Sequence, residues 1–200
     1  MMSVLDRPSM NRAERRRQQT YMQLKQAAAE VLGETGYRNF TIKAVTERAD
    51  VGYGTFYLHF KDKDDIVWAV IQDIIAVWWD DMMAKLKDIP FPRREYLSWV
   101  YLFELTDSVR DEFSAMFGTG GSTTLLKYYQ EYVSDLHVRN MRAGTFSANL
   151  DVPIEWLAQF MTGALVRLMV WWVETPNDYT PEQMAALMYQ TAYRQPPPLG

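Results

Sequence analysis

The sequence predicts an all-α protein of about nine helices, and three observations carry that expectation. Apolar residues recur at helical spacing along most of the chain. Strand signals are scarce: alternation never runs cleanly between turn residues, and Val, Ile and Thr do not cluster. Prolines fall at the starts and breaks of the periodic runs, as helix boundaries require.

The elements follow in order. Residues 1–11 hold Pro8 and no periodicity, and read as a disordered arm. The first helix runs from about Asn11 to Glu34, with Tyr21, Leu24, Ala28, Val31 and Leu32 in one stripe and Gly36 as its stop. A short helix opens at Thr41, which can cap it, and turns Ile42, Val45 and Ala49 inward. After the turn ADVG, a third helix spans about Tyr53 to Phe60, with Phe56 and Phe60 one turn apart. The fourth starts at Lys61–Asp65, where Asp62, Asp64 and Asp65 suit a positive helix end, and continues through Trp78. Pro90 and Pro92 break the chain. Further helices are expected over about 94–105, 107–117, 125–142, 153–173 and 181–193, with Pro153 and Pro181 at first-turn positions. The tail QPPPLG, 195–200, cannot be helical. Residues 12–62 therefore read as a three-helix head and 63–194 as a helical body.

Composition excludes several function classes. Cys is absent, which removes disulfides, thiolate metal sites and thiol nucleophiles. Only His59 and His137 are present, too few for a multi-histidine metal site, and neither a metal nor a cofactor is expected. The apolar stretch 160–173 is interrupted by Arg167 and falls short of a membrane span. No apolar leader is recognised, so a cytoplasmic location is expected. The net charge of −4 disfavours nonspecific nucleic-acid binding, but its distribution does not. Residues 1–65 carry 11 Lys and Arg against 9 Asp and Glu, a net of +2, which leaves −6 for the remainder. Arg12, Arg15, Arg16, Arg17 and Lys25 face only Glu14, which makes a local basic patch on an acidic protein.

The second and third helices with their tight turn form a helix-turn-helix. In such a motif the second helix enters the major groove with its N-terminal residues at base edges. Tyr53, Thr55, Tyr57 and His59 would point outward, while Gly52 and Gly54 leave the helix start free of bulk. Lys61 and Lys63 follow at positions suited to phosphate, and the N-terminus of the helix opened by Thr41 offers free N–H groups to another. Phe56 and Phe60 belong to the core of the head.

The stretch FTIKAVTERADVGYGTFYLHFKDKDDI, 40–66, resembles the DNA-binding head of the TetR family of bacterial transcriptional regulators. Thr41, Ala49, Gly54, Thr55, Phe56, Tyr57, His59, Phe60 and Lys63 stand at the family's spacing. Two positions depart from it. Asp50 replaces the usual turn Gly, which Asp tolerates, and Gly52 replaces the usual Ser or Thr cap. The resemblance implies that Thr41, Thr55, Tyr57, His59 and Lys63 contact DNA. Tyr57, His59 and Lys63 would lie on the backbone, and Tyr53, Gly54 and Thr55 nearest the bases.

The body is rich in large side chains, most of them expected in core or interface. Together, Trp78, Met82, Trp99, Phe103, Phe113, Phe117, Tyr128, Tyr132 and Met161 are candidates to line a cavity for an apolar or aromatic ligand. The resemblance implies such a cavity, and also a homodimer through the last two helices, 153–173 and 181–193, with Leu157, Ala164, Leu168, Met184, Leu187 and Met188 on the seam. It implies a ligand-relieved repressor on a palindromic operator, the ligand changing the spacing of the paired heads. A same-fold activator or a protein-controlled regulator is the alternative. Charged residues such as Glu104, Arg110 and Arg167 could pair with a ligand or with one another.

An enzyme finds little support. The loop GTGGSTT, 118–124, lacks the Lys of a phosphate-binding loop and follows no strand. His137 reads as a helix-surface or interior hydrogen-bonding residue, and Glu104 and Asp107 have no third member.

Overall fold

A computed structural model describes residues 11–144 and 152–198, which form nine helices and no strand among the described residues. They are α1 (Arg12–Asn39), α2 (Ile42–Arg48), α3 (Tyr53–Tyr57), α4 (Lys63–Leu86), α5 (Arg93–Ser108), α6 (Arg110–Phe117), α7 (Thr123–Arg142), α8 (Ile154–Glu174) and α9 (Pro181–Tyr193). The arm expected over 1–11 lies outside the described residues except for Asn11. Asn11 is not part of an arm: it caps α1 in a reciprocal pair with Glu14, at 2.8 and 2.9 Å. Of the tail, 195–198 is non-helical and 199–200 lies outside the described residues.

Two compact units are present, Met1–Ile71 and Gln72–Gly200. The division falls inside α4 rather than before residue 63, because the opening turns of α4 bury Ile66 and Val67 completely.

In the first unit, α1, α2, α3 and the start of α4 enclose a core of Leu24, Ala28, Val31, Val45, Phe56 and Ile66. Gly36, at φ 67°, breaks α1 near its end and turns the chain toward Phe40. Tyr37 then donates its hydroxyl to Asp64 Oδ1 at 2.7 Å, and Lys63 Nζ donates to the Tyr37 carbonyl at 2.6 Å. These two bonds fasten the end of α1 to the first turn of α4. Arg48 on α2 pairs with Glu30 and Glu34 of α1 at 3.2 and 2.7 Å. The third helix is shorter than the expected 53–60. At the start of α4, where the chain has left α3, Asp62 accepts from Asp65 N and Asp65 from Lys61 N, at 2.9 Å each.

In the second unit, α5 packs on α9, and α8 packs on α7 and α6. Gln159 donates to Ser134 at 2.9 Å across the α7–α8 seam. The fourth helix extends past Trp78 because its apolar stripe continues through Met82 and Leu86, each 1% exposed. The glycine loop after α6 closes against the end of α8: Thr119 donates its N–H and its hydroxyl to Glu174, both at 2.7 Å. Those bonds hold the Glu174 carboxyl below its usual range. A β-carbon at Gly118 would collide with Glu174 and the Ser114 carbonyl, and one at Gly121 with the Met116 carbonyl.

Two expectations about α8 need correction. The helix begins at Ile154, and by length and composition it is long and apolar enough to cross a membrane, although half of that stretch is buried inside the protein. Of the expected seam, Leu157, Met184 and Met188 are buried within the single chain. Packing of α8 on α7 and of α9 on α5 turns them inward. The apolar residues left outward are Trp156 and Phe160, stacked at 5.6 Å, with Leu187 on α9. Gly163 continues the α8 stripe with open space above it, and Ala164 and Leu168 beside it are half-buried.

Candidate functional site

The outward face of the helix-turn-helix is set by its inner one. Phe56 is fully buried, while Tyr53 at the start of α3 is 49% and Tyr57 at its end 55% exposed. Gly52 caps α3 with no side-chain bond, and Gly54 has open space where a β-carbon would stand. Thr55 is half-buried on the same short helix. Thr41 caps α2, accepting from Ala44 N at 3.2 Å. Asp50 adopts the left-handed φ of 50° in the turn, and Gln23 of α1 donates to the Ala49 carbonyl at 2.9 Å, fixing the turn from beneath. His59 is half-buried with its ring 6.3 Å from that of Tyr21, and burial, then the nearby Arg17 charge, lowers its pKa. Arg12, Arg15, Arg16 and Arg17 are exposed on α1.

Lys63 has an internal duty the motif spacing did not show. Besides its bond to the Tyr37 carbonyl, its ammonium lies 4.0 Å from the Tyr37 ring centroid, and burial lowers its pKa. An ammonium carries three N–H donors, so the bond to Tyr37 leaves others for a phosphate.

The second unit holds a half-enclosed cavity with about 870 Å³ of empty space, its mouth included. Trp78 and Met82 of α4, Trp99 of α5, Tyr132 of α7 and Met161 of α8 line it, five of the nine candidates. The other four do not. Phe103 packs edge-on against Trp172 at 5.5 Å, and Phe113 and Phe117 pack on Tyr129 at 6.0 and 4.8 Å. Those three fill the core between helices, and Tyr128 is half-buried away from the cavity wall.

Residues with polar groups among those lining it include Glu95, Ser98, His137, Tyr129, Tyr132 and Tyr193. Glu95 is 2% exposed in the first turn of α5. Tyr193 at the end of α9 donates its hydroxyl to Glu95 Oε1. Burial and the Glu95 carboxylate both raise the Tyr193 pKa, which keeps that phenol protonated. His137 Nδ1 lies 3.0 Å from Thr162 Oγ1, and burial pushes its pKa down to about 4, so the imidazole is neutral at pH 7. The charged residues considered from sequence lie elsewhere. Arg110 bonds Asp107 and the Trp172 carbonyl, both at 2.9 Å, and Glu104 and Arg167 are exposed.

Two family descriptions match the chain. Residues 24–70 match a family described as bacterial regulatory proteins, tetR family. Residues 98–194 match a transcriptional regulator C-terminal region.

The chain belongs to the TetR family.

That is a family of regulators rather than of enzymes. Among curated relatives of this TetR-family chain, the fatty acid metabolism regulator protein of Bacillus subtilis is 34% identical over 68 residues, 34% of this chain and 35% of that protein. The regulator HbdR of Aromatoleum is 28% identical over 91 residues, 44% of this chain and 39% of that one. The chain thus spans well under half the length of these relatives. Among solved structures, RolR in complex with resorcinol superposes with a TM-score of 0.63 at 19% identity, covering 93% of this chain and 99% of that one. FadR from Bacillus subtilis in complex with stearoyl-CoA gives 0.53 at 20% identity, covering 85% and 96%. At such identities the likeness is one of fold.

Glu95 was missed from sequence, although it shares a stripe with Trp99 and Leu102, one and two turns on. Tyr193 gave no signal, being the last residue of the last helix.

Proposed function

We propose that this chain is a homodimeric, sequence-specific DNA-binding repressor, acting in the cytoplasm, whose hold on its operator is relieved by a small apolar or aromatic ligand. One observation carries the reading: α3 buries Phe56 completely and stands Tyr53 and Tyr57 outward beside the open Gly54. Hydrogen-bonding groups at the start of an exposed helix, with backbone free to approach, suit a major groove. Thr41, Gly52, Tyr53, Gly54, Thr55, Tyr57, His59 and Lys63 would form the contact surface, with the exposed arginines of α1 adding long-range attraction.

The outward stripe Trp156, Phe160 and Gly163, with Leu187, supports pairing with a second copy. Such a dimer would read a two-fold symmetric operator with half-sites about one helical turn, or a small multiple of it, apart. Repression would follow from occlusion of the promoter. The cavity supports a ligand response, and both resorcinol in RolR and stearoyl-CoA in FadR are ligands bound by proteins of this fold. A ligand favouring the released state by about 1–3 kcal/mol would weaken operator binding about 5–150-fold.

Selection of random duplex DNA on the purified, ligand-free protein tests the reading. Enrichment of a two-fold symmetric site is the expected outcome. Binding that enriches no sequence would overturn it.

A further inference from the structure

The face of α3 that looks away from the core of the head centres on a residue the motif spacing did not single out. At 3.6 residues per turn, Leu58 stands about 200° round the helix from Phe56 and about 160° from Phe60, both of them buried. The helical turn holds that far. Leu58 keeps a helical backbone, φ −76° and ψ −16°, and the Phe60 N–H donates to the Phe56 carbonyl at 3.0 Å. Leu58 is 72% exposed, the most exposed large apolar side chain among the described residues. One turn before it on the same face is Gly54, with open space where a β-carbon would stand. We propose that Leu58 is a base-reading residue, its side chain meeting the C5-methyl group of a thymine in each half-site. The inference rests on the DNA-binding reading and deepens it.

A lone exposed leucine is ordinary on a protein surface and carries nothing by itself. Its place decides the matter. Gly54 puts no side chain on the outward face, so α3 can approach a groove most closely along the line from Gly54 to Leu58. Exposed Tyr57 flanks that line on one side and half-buried Thr55 on the other. Both flanking residues carry hydroxyls that can bond phosphates or polar base edges. Leu58 has neither a donor nor an acceptor on its side chain, so it gains nothing from those groups. In the major groove the apolar feature of a base pair is the thymine methyl. Covering that methyl with Leu58 takes apolar surface of both partners out of water, which favours the complex. Cytosine lacks the methyl, so the contact separates thymine from cytosine where hydrogen bonds alone need not. The recognition face thus has an apolar centre and polar flanks, and its centre reads one kind of base.

The test replaces each thymine of the selected operator in turn by deoxyuridine, in both half-sites together. That removes the methyl and leaves every hydrogen-bonding group in place. Affinity of the full-length protein is read by fluorescence anisotropy. At one thymine position wild-type binding should weaken about tenfold to twentyfold, as about fourfold per half-site for one buried methyl predicts. Leu58→Ala should bind the unsubstituted operator more weakly and be indifferent to the same replacement, and Leu58→Met should restore the sensitivity. The dependence of affinity on salt should be the same for Leu58→Ala as for wild type, because no phosphate contact is lost. At 72% exposure the side chain supports no core, so both variants should keep the wild-type melting temperature. A selected half-site without thymine, wild-type binding indifferent to deoxyuridine at every position, or a sensitivity that Leu58→Ala retains each overturns the inference and leaves the DNA reading standing. Selection that enriches no sequence overturns both.

Discussion

The two units solve opposite problems with the same kind of element. The head closes a small core around Phe56 and Val45, both fully buried, and turns its remaining aromatics and hydroxyls outward. Its polar bonds are ties between helices: Tyr37 to Asp64, Lys63 to the Tyr37 carbonyl, Gln23 to the Ala49 carbonyl. The body does the reverse. It turns large rings inward and leaves space among them, so that Glu95, His137 and Tyr193 face a cavity. A head that holds its outer face rigid is suited to reading a fixed surface. A body with unfilled volume gives up packing contacts that a ligand can restore. Only α4 runs through both units.

The largest expected effect separates the two units. Phe56→Ala removes a fully buried ring from the head and should cost about 3–5 kcal/mol there. Hydrogen exchange should accelerate over α1–α3 while amides of α5, α7 and α8 keep their protection. Equal acceleration in both units would show that they unfold as one, and the comparison would fail.

The next effect belongs to the body alone. The fold lowers the His137 pKa from 6.5 to about 4, so below 6.5 the unfolded chain binds the proton more readily than the folded one. Its stability is therefore undiminished above pH 6.5 and falls as the pH drops from 6.5 toward 4, by up to about 3 kcal/mol. Denaturant melts of wild type and His137→Gln across that window should differ in slope, with the variant flatter. Parallel curves would remove His137 as the cause.

The smallest effect is confined to the outer surface of the head. Tyr57 is 55% exposed, so Tyr57→Phe should leave the melting temperature unchanged while weakening operator and random duplex alike by about twofold to tenfold. A change confined to the operator would reassign Tyr57 from backbone to base contact.

These contrasts also explain what could be read from the chain. The head's surface residues lie between 41 and 63, and their roles follow from positions on two short helices joined by a tight turn. Local spacing suffices there, although it did not reveal that Lys63 ties α4 to α1. The cavity draws on α4, α5, α7, α8 and α9, and no local pattern says which ring of a helix faces it. Phe103 and Trp99 are one turn apart on α5, yet one meets Trp172 and the other the cavity. Composition could nominate aromatics in general. It could not separate Trp78 from Phe113, nor turn attention from Arg110 to Glu95, because those choices depend on how distant helices pack.

The glycine loop after α6 bears on how such a molecule can diversify. A side chain facing empty volume can be exchanged for another of different size with small cost to the frame. Gly118 and Gly121 have no such latitude, because any larger residue must displace the backbone of α6 or the Glu174 side chain that anchors the end of α8. Descendants of this chain are thus free to acquire new effectors by altering the cavity wall, while the 118–121 crossing acts as a fixed datum from which the positions of α6 and α8 are inherited unchanged.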